Sequence, residues 1–335
     1  MQGATWEPTL ELGLATRAAW LSYVGGYRQE DIAERLGVSR IKVNRLIALA
    51  HRRGLIRVVV EGSDAQCVAL EKAIAAAHGL AFCAVAVDLD EGALPLRTLA
   101  AAGARFLART IENRDLTIVG IGHGRTLAAV VEALPRLPRT DVRFVSLLGS
   151  LTRHAAANPF DVVHRIAQTT GCESYFMPVP FFANSVADKQ VLMAQKSLKD
   201  VFDLALQAQL YIVGIGEVSA KAHMVETRMI TMGELAEVER AGAVGEVLGH
   251  FVDARGRPVG APINERALGL RIEDLRGKEV IAIAGGHGKA RAIDAVLSTG
   301  VLTGLITDEA TADRLVARRE NASGGQRAAD EVAAS

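Results

Sequence analysis

Three short segments combine glycines with a cation, a carboxylate or a histidine in spacings that suit a small polar ligand. They are Val119-Gly-Ile-Gly-His-Gly-Arg-Thr126, Gly214-Ile-Gly216-Glu217 and Ala284-Gly-Gly-His-Gly-Lys289. Glycine lets a backbone come close to a ligand, and the amides of a loop that opens a helix favour an anion such as phosphate. In the first segment Gly122 and Gly124 flank His123, Arg125 adds charge and Thr126 a hydroxyl. In the third, Lys289 suits an anionic or polyol oxygen. His123 and His287 each lie between glycines, where a ring either touches the ligand or stands exposed. One glycine-rich turn is usually geometry alone. Two in one domain, each with a cation, point to a small anionic or polyhydroxyl ligand. No carboxylate or cysteine lies at ligand spacing to either histidine, so no metal site is expected. Gly120–Gly124 also lacks the third glycine, and the acid about 20 positions on, of a dinucleotide fingerprint. No cofactor is expected.

A second constellation lies near the N-terminus. Ser39, Arg40, Lys42, Asn44 and Arg45 cluster within a few residues. Arginine can pair with guanine O6/N7 and asparagine with adenine N6/N7, while Lys and Ser suit phosphates. A basic helix face is often just solvated, so the elements that would carry these residues decide the matter. Gln29–Leu36 reads as a short helix with Ile32, Ala33 and Leu36 at helical spacing. Gly37 ends it, and Ser39 caps a second helix, Arg40–Arg53, whose Val43, Leu46 and Ile47 face inward. Two helices joined by such a turn, with small Ala33 at their closest approach, form a helix-turn-helix whose second helix would enter the major groove. Gln29 completes the candidate DNA-facing set. Ala15–Tyr23 reads as a preceding helix, and Leu55–Glu61 alternates into a strand, one arm of a small wing carrying Arg57.

Bulk properties agree only once they are divided. The 335 residues suggest roughly two domains. Lys+Arg and Asp+Glu both number 38, a balance that argues against nucleic acid when taken alone. Between Leu10 and Val60, however, nine basic residues face four acidic ones, and the chain from Glu61 onward is acidic. A basic head on an acidic body is the asymmetry of a nucleic-acid arm. Aromatics are only 4%, which disfavours a base-stacking surface for single strands. No apolar run approaches the ~18 residues of a membrane span, and Met1–Leu10 lacks the pattern of a secretion signal. Cys67, Cys83 and Cys172 are odd in number without metal spacing, as in a reduced, cytoplasmic protein.

Beyond a linking helix over Asp64–His78, β-branched runs alternate with helical patterns. The expected strands are Phe82–Val87, Leu116–Ile121, Arg143–Leu148, Tyr175–Val179, Leu210–Ile215, Val280–Ala284 and Leu302–Thr307. The expected helices are Leu96–Ile111, Thr126–Leu134, Phe160–Thr170, Leu198–Ala208, Ala290–Leu297 and Glu309–Ala317. Such alternation gives an α/β fold with a largely parallel sheet covered on both faces. Val247–Val259 reads as an inserted hairpin with Asp253-Ala-Arg-Gly256 in the middle. Ligands of such sheets bind at the carboxyl ends of strands, where all three glycine segments fall. The expected division is a DNA-binding head at 10–61, an effector domain at 62–320 and a fraying tail at 321–335.

With Gly245-Glu-Val-Leu-Gly-His-Phe-Val-Asp253 and Leu305-Ile-Thr-Asp-Glu309 added to these motifs, the chain resembles the SorC family of sugar-responsive transcriptional regulators over roughly Ala15 to Arg318. Within that family it is most similar to the regulators of sugar-alcohol use. The resemblance implies a Rossmann-like effector domain of the sugar-phosphate isomerase/CoA-transferase type behind the winged helix-turn-helix. It also implies a dimer or tetramer, double-stranded operator DNA as partner, and a sugar, polyol or sugar phosphate as effector. Carried over by position, it places the first glycine loop with Arg125 and Thr126, the segment around Ser150, Glu246 or Asp253, and Lys289 around the ligand. The match is loosest at Leu148–Arg153. The expected action is linkage, most simply a repressor relieved by its inducer. Two other readings stand beside it. One is a phosphosugar isomerase-like enzyme using Asp308, Glu309 or Glu217 as base, against which Asp308 or Thr307 would simply cap the final helix. The other is a dinucleotide-sensing redox regulator.

Overall fold

A computed structural model describes residues 7–56, 65–135, 137, 139–151 and 162–319. The chain divides into two compact units, residues 1–62 and 63–335.

The first unit holds α1 (Glu7–Tyr23), α2 (Gln29–Leu36) and α3 (Arg40–Arg52). Helix α2 stops because Gly37 takes φ 63°, a left-handed conformation that a residue with a Cβ adopts less readily. Gly37 N–H donates to Glu34 O and Val38 N–H to Ala33 O, so the last carbonyls of α2 are satisfied as the chain turns. Ser39 Oγ then accepts from Lys42 N–H at 3.3 Å and starts α3. Ile32, Val43, Leu46 and Ala50 pack against Ala15 and Ala18, whose small side chains let the helices approach. Helix α1 starts well before the expected Ala15. Most of the expected wing strand, from residue 57 on, lies outside the described residues. A Cβ on Gly37 would meet nothing within 4 Å, so Gly37→Ala should cost only its positive φ, about 1 kcal/mol. Both tryptophans, Trp6 and Trp20, belong to this unit. Their fluorescence should therefore report a lowered urea midpoint with an unchanged slope.

The second unit starts with α4 (Ala65–His78), β1 (Phe82–Ala86), α5 (Leu96–Asn113), β2 (Ile118–Ile121), α6 (Arg125–Ala133), β3 (Arg143–Leu151), α7 (Val162–Thr170) and β4 (Ser174–Pro180). It continues through α8 (Val186–Met193), α9 (Lys196–Leu206), β5 (Leu210–Val213), β6 (Gly216–Glu217), α10 (His223–Glu226), α11 (Met232–Arg240), β7 (Gly245–Val247) and β8 (His250–Val252). Then come α12 (Pro262–Arg266), β9 (Val280–Ile283), α13 (Ala290–Leu297), β10 (Gly304–Asp308) and a helix over 309–319. The seven expected strands all form. They make one sheet in the order β1-β10-β9-β5-β2-β3-β4, with every pairing parallel. The central strands β2, β5 and β9 are buried along their whole length, which is why they read as unbroken apolar runs. Helices α5 and α6 pack through Gly103, where a Cβ would stand 2.6 Å from Val130 Cγ2.

The hairpin corrects an expectation. Strands β7 and β8 pair antiparallel, with β6 on the far side of β7, and turn at Leu248 and Gly249 rather than at Asp253–Gly256. Both residues take positive φ, 51° and 83°, which matches the turn to the strands' twist. Asp253–Gly256 forms a second turn just beyond, closed by a bridge from Val252 to Pro258. Helices α8, α10, α11 and α12 were not expected. Of these α11 announces itself, since Thr231 and Glu234 form a reciprocal capping box.

Candidate functional site

Because β9, β5 and β2 are neighbours, the three glycine loops meet at the carboxyl ends of the central strands. A Cβ on Gly214 would lie 3.3 Å from His123 O, and one on Gly288 would lie 3.1 Å from Glu217 Oε2. Lys289, just before α13, crosses to the β5 loop and donates from Nζ to Ile215 O at 2.9 Å. Together the loops line a cavity of about 90 Å³. That is several times the roughly 10–15 Å³ one water occupies, room for a molecule of a few hydroxylated carbons.

The cavity's polar wall is His123, Arg125, Thr126, Glu217, His223, Glu246 and Lys289. Gly124, at φ 121°, precedes α6 with no side chain capping the helix, and Gly124, Arg125 and Thr126 at the helix start all line the cavity. Arg125 pairs with Glu226 of α10 at 3.7 Å. Ser146 Oγ donates to Leu148 O at 2.6 Å, so it accepts from His123 Nε2–H at 3.1 Å. That fixes the proton on Nε2 and presents Nδ1 as the acceptor side of the ring. The apolar wall comes from Leu248 and Phe251 of the hairpin, Leu148, Phe181, and the segment after β6 that supplies Met224, Met229, Ile230 and Leu235. That segment is held by α11, whose Glu234 accepts from Arg266 at 2.6 Å in a largely buried pair. Polar groups on one side and apolar surface on the other is the face a small sugar or polyol presents in reverse.

Burial holds several groups away from their ordinary protonation. Glu246 is buried, and burial pushes its carboxyl up to about 7, against the pull of Gly249 N–H and of Lys289. Gly216 lies against it, where a Cβ would overlap Glu246 Oε2. His223 is pushed down to about 4 by burial and by the charges of Arg125 and Lys289. Burial also lowers Lys289, with Glu217 opposing. Cys83 is pushed up to about 12 by burial and Glu71, an unreactive thiol.

Of the expected ligand residues, His123, Gly124, Arg125, Thr126, Glu246 and Lys289 come together here. Gly122 stands one step below, donating its N–H to Ile212 O at 2.8 Å. Asp253 does not reach the cavity. Its carboxylate is spent inside its own turn, on the backbone of Arg255 and Arg257 and on the Arg257 guanidinium at 2.8 Å, and of the two carboxylates only Glu246 lines the cavity. His287 is exposed and outside the wall. Ser150 lies in β3 with its side chain outside the described set, as is the whole of Arg153. Asp308 is buried under the last helix, accepting from Gly286 N–H, Thr311 N–H and Thr311 Oγ1. It caps that helix, and no catalytic role is left for it. Among the described residues no cluster of side chains fits a metal ion. No described helix is long and apolar enough to cross a membrane.

On the first unit, Arg40, Lys42, Asn44 and Arg45 all stand exposed on α3, with Ser39 at its cap and Gln29 half-buried at the start of α2. Arg40 pairs with Glu30 at 3.1 Å, both side chains well exposed. Sequence reasoning missed His223, Phe181, Leu248 and the Met224–Leu235 wall. Leu248 carries no cue for its positive φ, and the wall segment lacks strong periodicity.

Comparison with known proteins agrees with this geometry. The family described as "Putative sugar-binding domain" matches residues 64–317. The chain is 48% identical over 303 residues to the erythritol catabolism regulatory protein EryD of Brucella abortus (strain 2308), covering 90% of this chain and 96% of that one. It is 31% identical to the transcriptional regulator LsrR of Klebsiella pneumoniae subsp. pneumoniae, covering 91% and 93%. Its fold matches the full-length sorbitol operon regulator SorC of Klebsiella pneumoniae with a TM-score of 0.66 at 22% identity, over 91% of this chain and 99% of that one. A domain of a possible sugar-binding transcriptional regulator from Arthrobacter aurescens TC1 gives 0.68 at 26% identity, over 77% and 100%.

Proposed function

This chain belongs to the sugar-binding-domain family of transcriptional regulators, and on that premise we propose that it regulates a carbohydrate or sugar-alcohol catabolic operon through a small effector bound in the cavity. The effector is a sugar, polyol or sugar phosphate. One observation carries the assignment: three glycine loops on adjacent strands bring Arg125, Lys289, Glu217 and His123 around a single small cavity, and β7 adds Glu246. Identity to a regulator of erythritol catabolism puts short polyols first among the compounds to test. The head acts as a helix-turn-helix, with α3 as the reading helix and Ser39, Arg40, Lys42, Asn44, Arg45 and Gln29 facing operator DNA. The chain works in the cytoplasm as a homo-oligomer that presents two or more heads to repeated half-sites. It represses, and the effector relieves repression by binding one arrangement of the heads more tightly than the other. The relatives named above are regulators and not enzymes.

The test is a thermal-shift screen of polyols, sugars, sugar phosphates and dinucleotides. A hit at one hundred times its Kd should stabilise by about 2.7 kcal/mol. Duplex binding is then measured with and without that hit. Lys289→Met keeps the volume and removes the charged donor. Losing one charged hydrogen bond, about 1.5–3 kcal/mol, should weaken hit binding roughly 10- to 150-fold while duplex binding without the hit persists. Turnover of a phosphosugar by the purified chain would overturn the proposal.

A further inference from the structure

Helix α3 carries one residue that neither its core nor its charges explain. Its inward face is Val43, Leu46 and Ala50, all buried. Ile41, by contrast, is 69% exposed, as exposed as any large apolar side chain of the described residues. A lone exposed apolar residue is common on protein surfaces and by itself means little. Position is what sets this one apart. Three and four residues on stand Asn44 and Arg45, which share its helix face, and Arg40 and Lys42 flank it. It occupies the first turn of α3, the part of a reading helix that approaches base edges. A β-branched apolar residue there adds nothing to helix propensity, removes a charge from an otherwise basic face, and touches no core.

We propose that Ile41 reads a thymine C5-methyl in the major groove, next to an adenine held by Asn44. The inference rests on the assignment of α3 as the reading helix. The chemistry is complementary. In the major groove the thymine methyl is the apolar group that identifies an A·T pair, and an apolar side chain is what matches it. Burial of Ile41 against that methyl removes from water the surface that the isolated head leaves exposed. Arg40 and Arg45 stand on either side, so Ile41 adds recognition of an apolar group that their charged side chains do not supply.

The probe is the duplex that the full-length chain selects from a random-sequence pool, resynthesised with uracil replacing each thymine in turn. This exchange deletes one methyl and leaves every hydrogen-bonding group in place. Wild-type protein should lose about fourfold in affinity at one thymine per half-site, the worth of one buried methyl-sized group. Ile41→Ala should bind the all-thymine duplex more weakly by about that factor for each half-site occupied, and should show no further loss on the uracil duplex at that position. Its melting temperature should match that of the wild type, since the side chain supports no packing. The proposal is overturned if every uracil penalty survives unchanged in Ile41→Ala, or if Ile41→Ala binds the all-thymine duplex as tightly as wild type. The underlying assignment has its own control. If Arg40→Ala with Arg45→Ala leaves duplex binding intact, α3 is not the reading helix and both statements fall. If that pair abolishes binding while the Ile41 cycle shows no coupling, only the thymine contact is wrong.

Discussion

Replacing Arg40 and Arg45 together by alanine should weaken binding of the full chain to its selected duplex by about 10²- to 10⁴-fold. A good bidentate side chain–base pair is worth roughly 1–3 kcal/mol, and losses at separate positions add approximately. The chain should remain folded. Both residues are exposed, and the ion pair that Arg40 makes with Glu30 is between two solvated side chains, a type worth little. Surface changes of this kind move stability by about 0.5 kcal/mol or less. Fluorescence anisotropy against the selected duplex and against a scrambled one separates the two contributions of arginine. Base readout predicts that the preference for the selected duplex collapses. Pure phosphate contact predicts equal weakening on both and a shallower salt dependence.

The second large effect is on pH. In the folded chain the Glu246 carboxyl ionises near pH 7 instead of its ordinary 4.5, because burial opposes the charge. A carboxyl raised on folding stabilises the fold fully below pH 4.5, where both states hold the proton. As pH rises the unfolded chain loses its proton first, so stability falls until about pH 7 and then levels. The fall is on the order of 3 kcal/mol at the usual 1.36 kcal/mol per unit. His223 and His250, both pushed to about 4 by burial, act in the opposite sense. Below pH 6.5 the unfolded chain gains protons that the folded chain refuses, so these two groups cost stability as pH drops. Above pH 6.5 Glu246 acts without them. Glu246→Gln keeps an acceptor for Gly249 N–H and removes the titration. The variant should match wild type near pH 4.5 and exceed it by a few kcal/mol at pH 8. Thermal melts across pH 5 to 8 check this, and parallel profiles for the two proteins would contradict it.

Local signals were legible wherever local chemistry sets the structure. Gly37 and Ser39 marked one helix end and one helix start because positive φ and side-chain capping are each properties of a few residue types. The buried strands were legible because a doubly covered parallel strand has apolar side chains on both faces. What the chain does not print is strand order. That β9, β5 and β2 are neighbours is decided by global packing, and only this order brings Lys289 to Ile215 and Glu217 to Gly288. The two histidines make the same point. His123 and His287 have the same glycine neighbours, yet one ring hydrogen-bonds to Ser146 beside the cavity and the other stands in solvent. Asp253 misled because Asp-Ala-Arg-Gly has ordinary turn chemistry, whereas the turn that shapes the site places a leucine at φ 51°. A non-glycine residue in that region is strained, and such strain is held by its surroundings. Here they include Glu246, whose carboxylate accepts Gly249 N–H.

The central claim is that occupancy of the cavity changes the hold of the heads on DNA. The most direct measurement is the affinity of the full chain for its selected duplex, titrated with the polyol or sugar that gives the largest thermal shift. The expected result is a 5- to 150-fold weakening at saturation, the span of a coupling of about 1–3 kcal/mol. The same factor should reduce effector affinity when the duplex is bound, and Lys289→Met should erase the response at effector concentrations that saturate wild type. An effector that binds, is lost with Lys289→Met, and leaves duplex affinity unchanged would contradict the account.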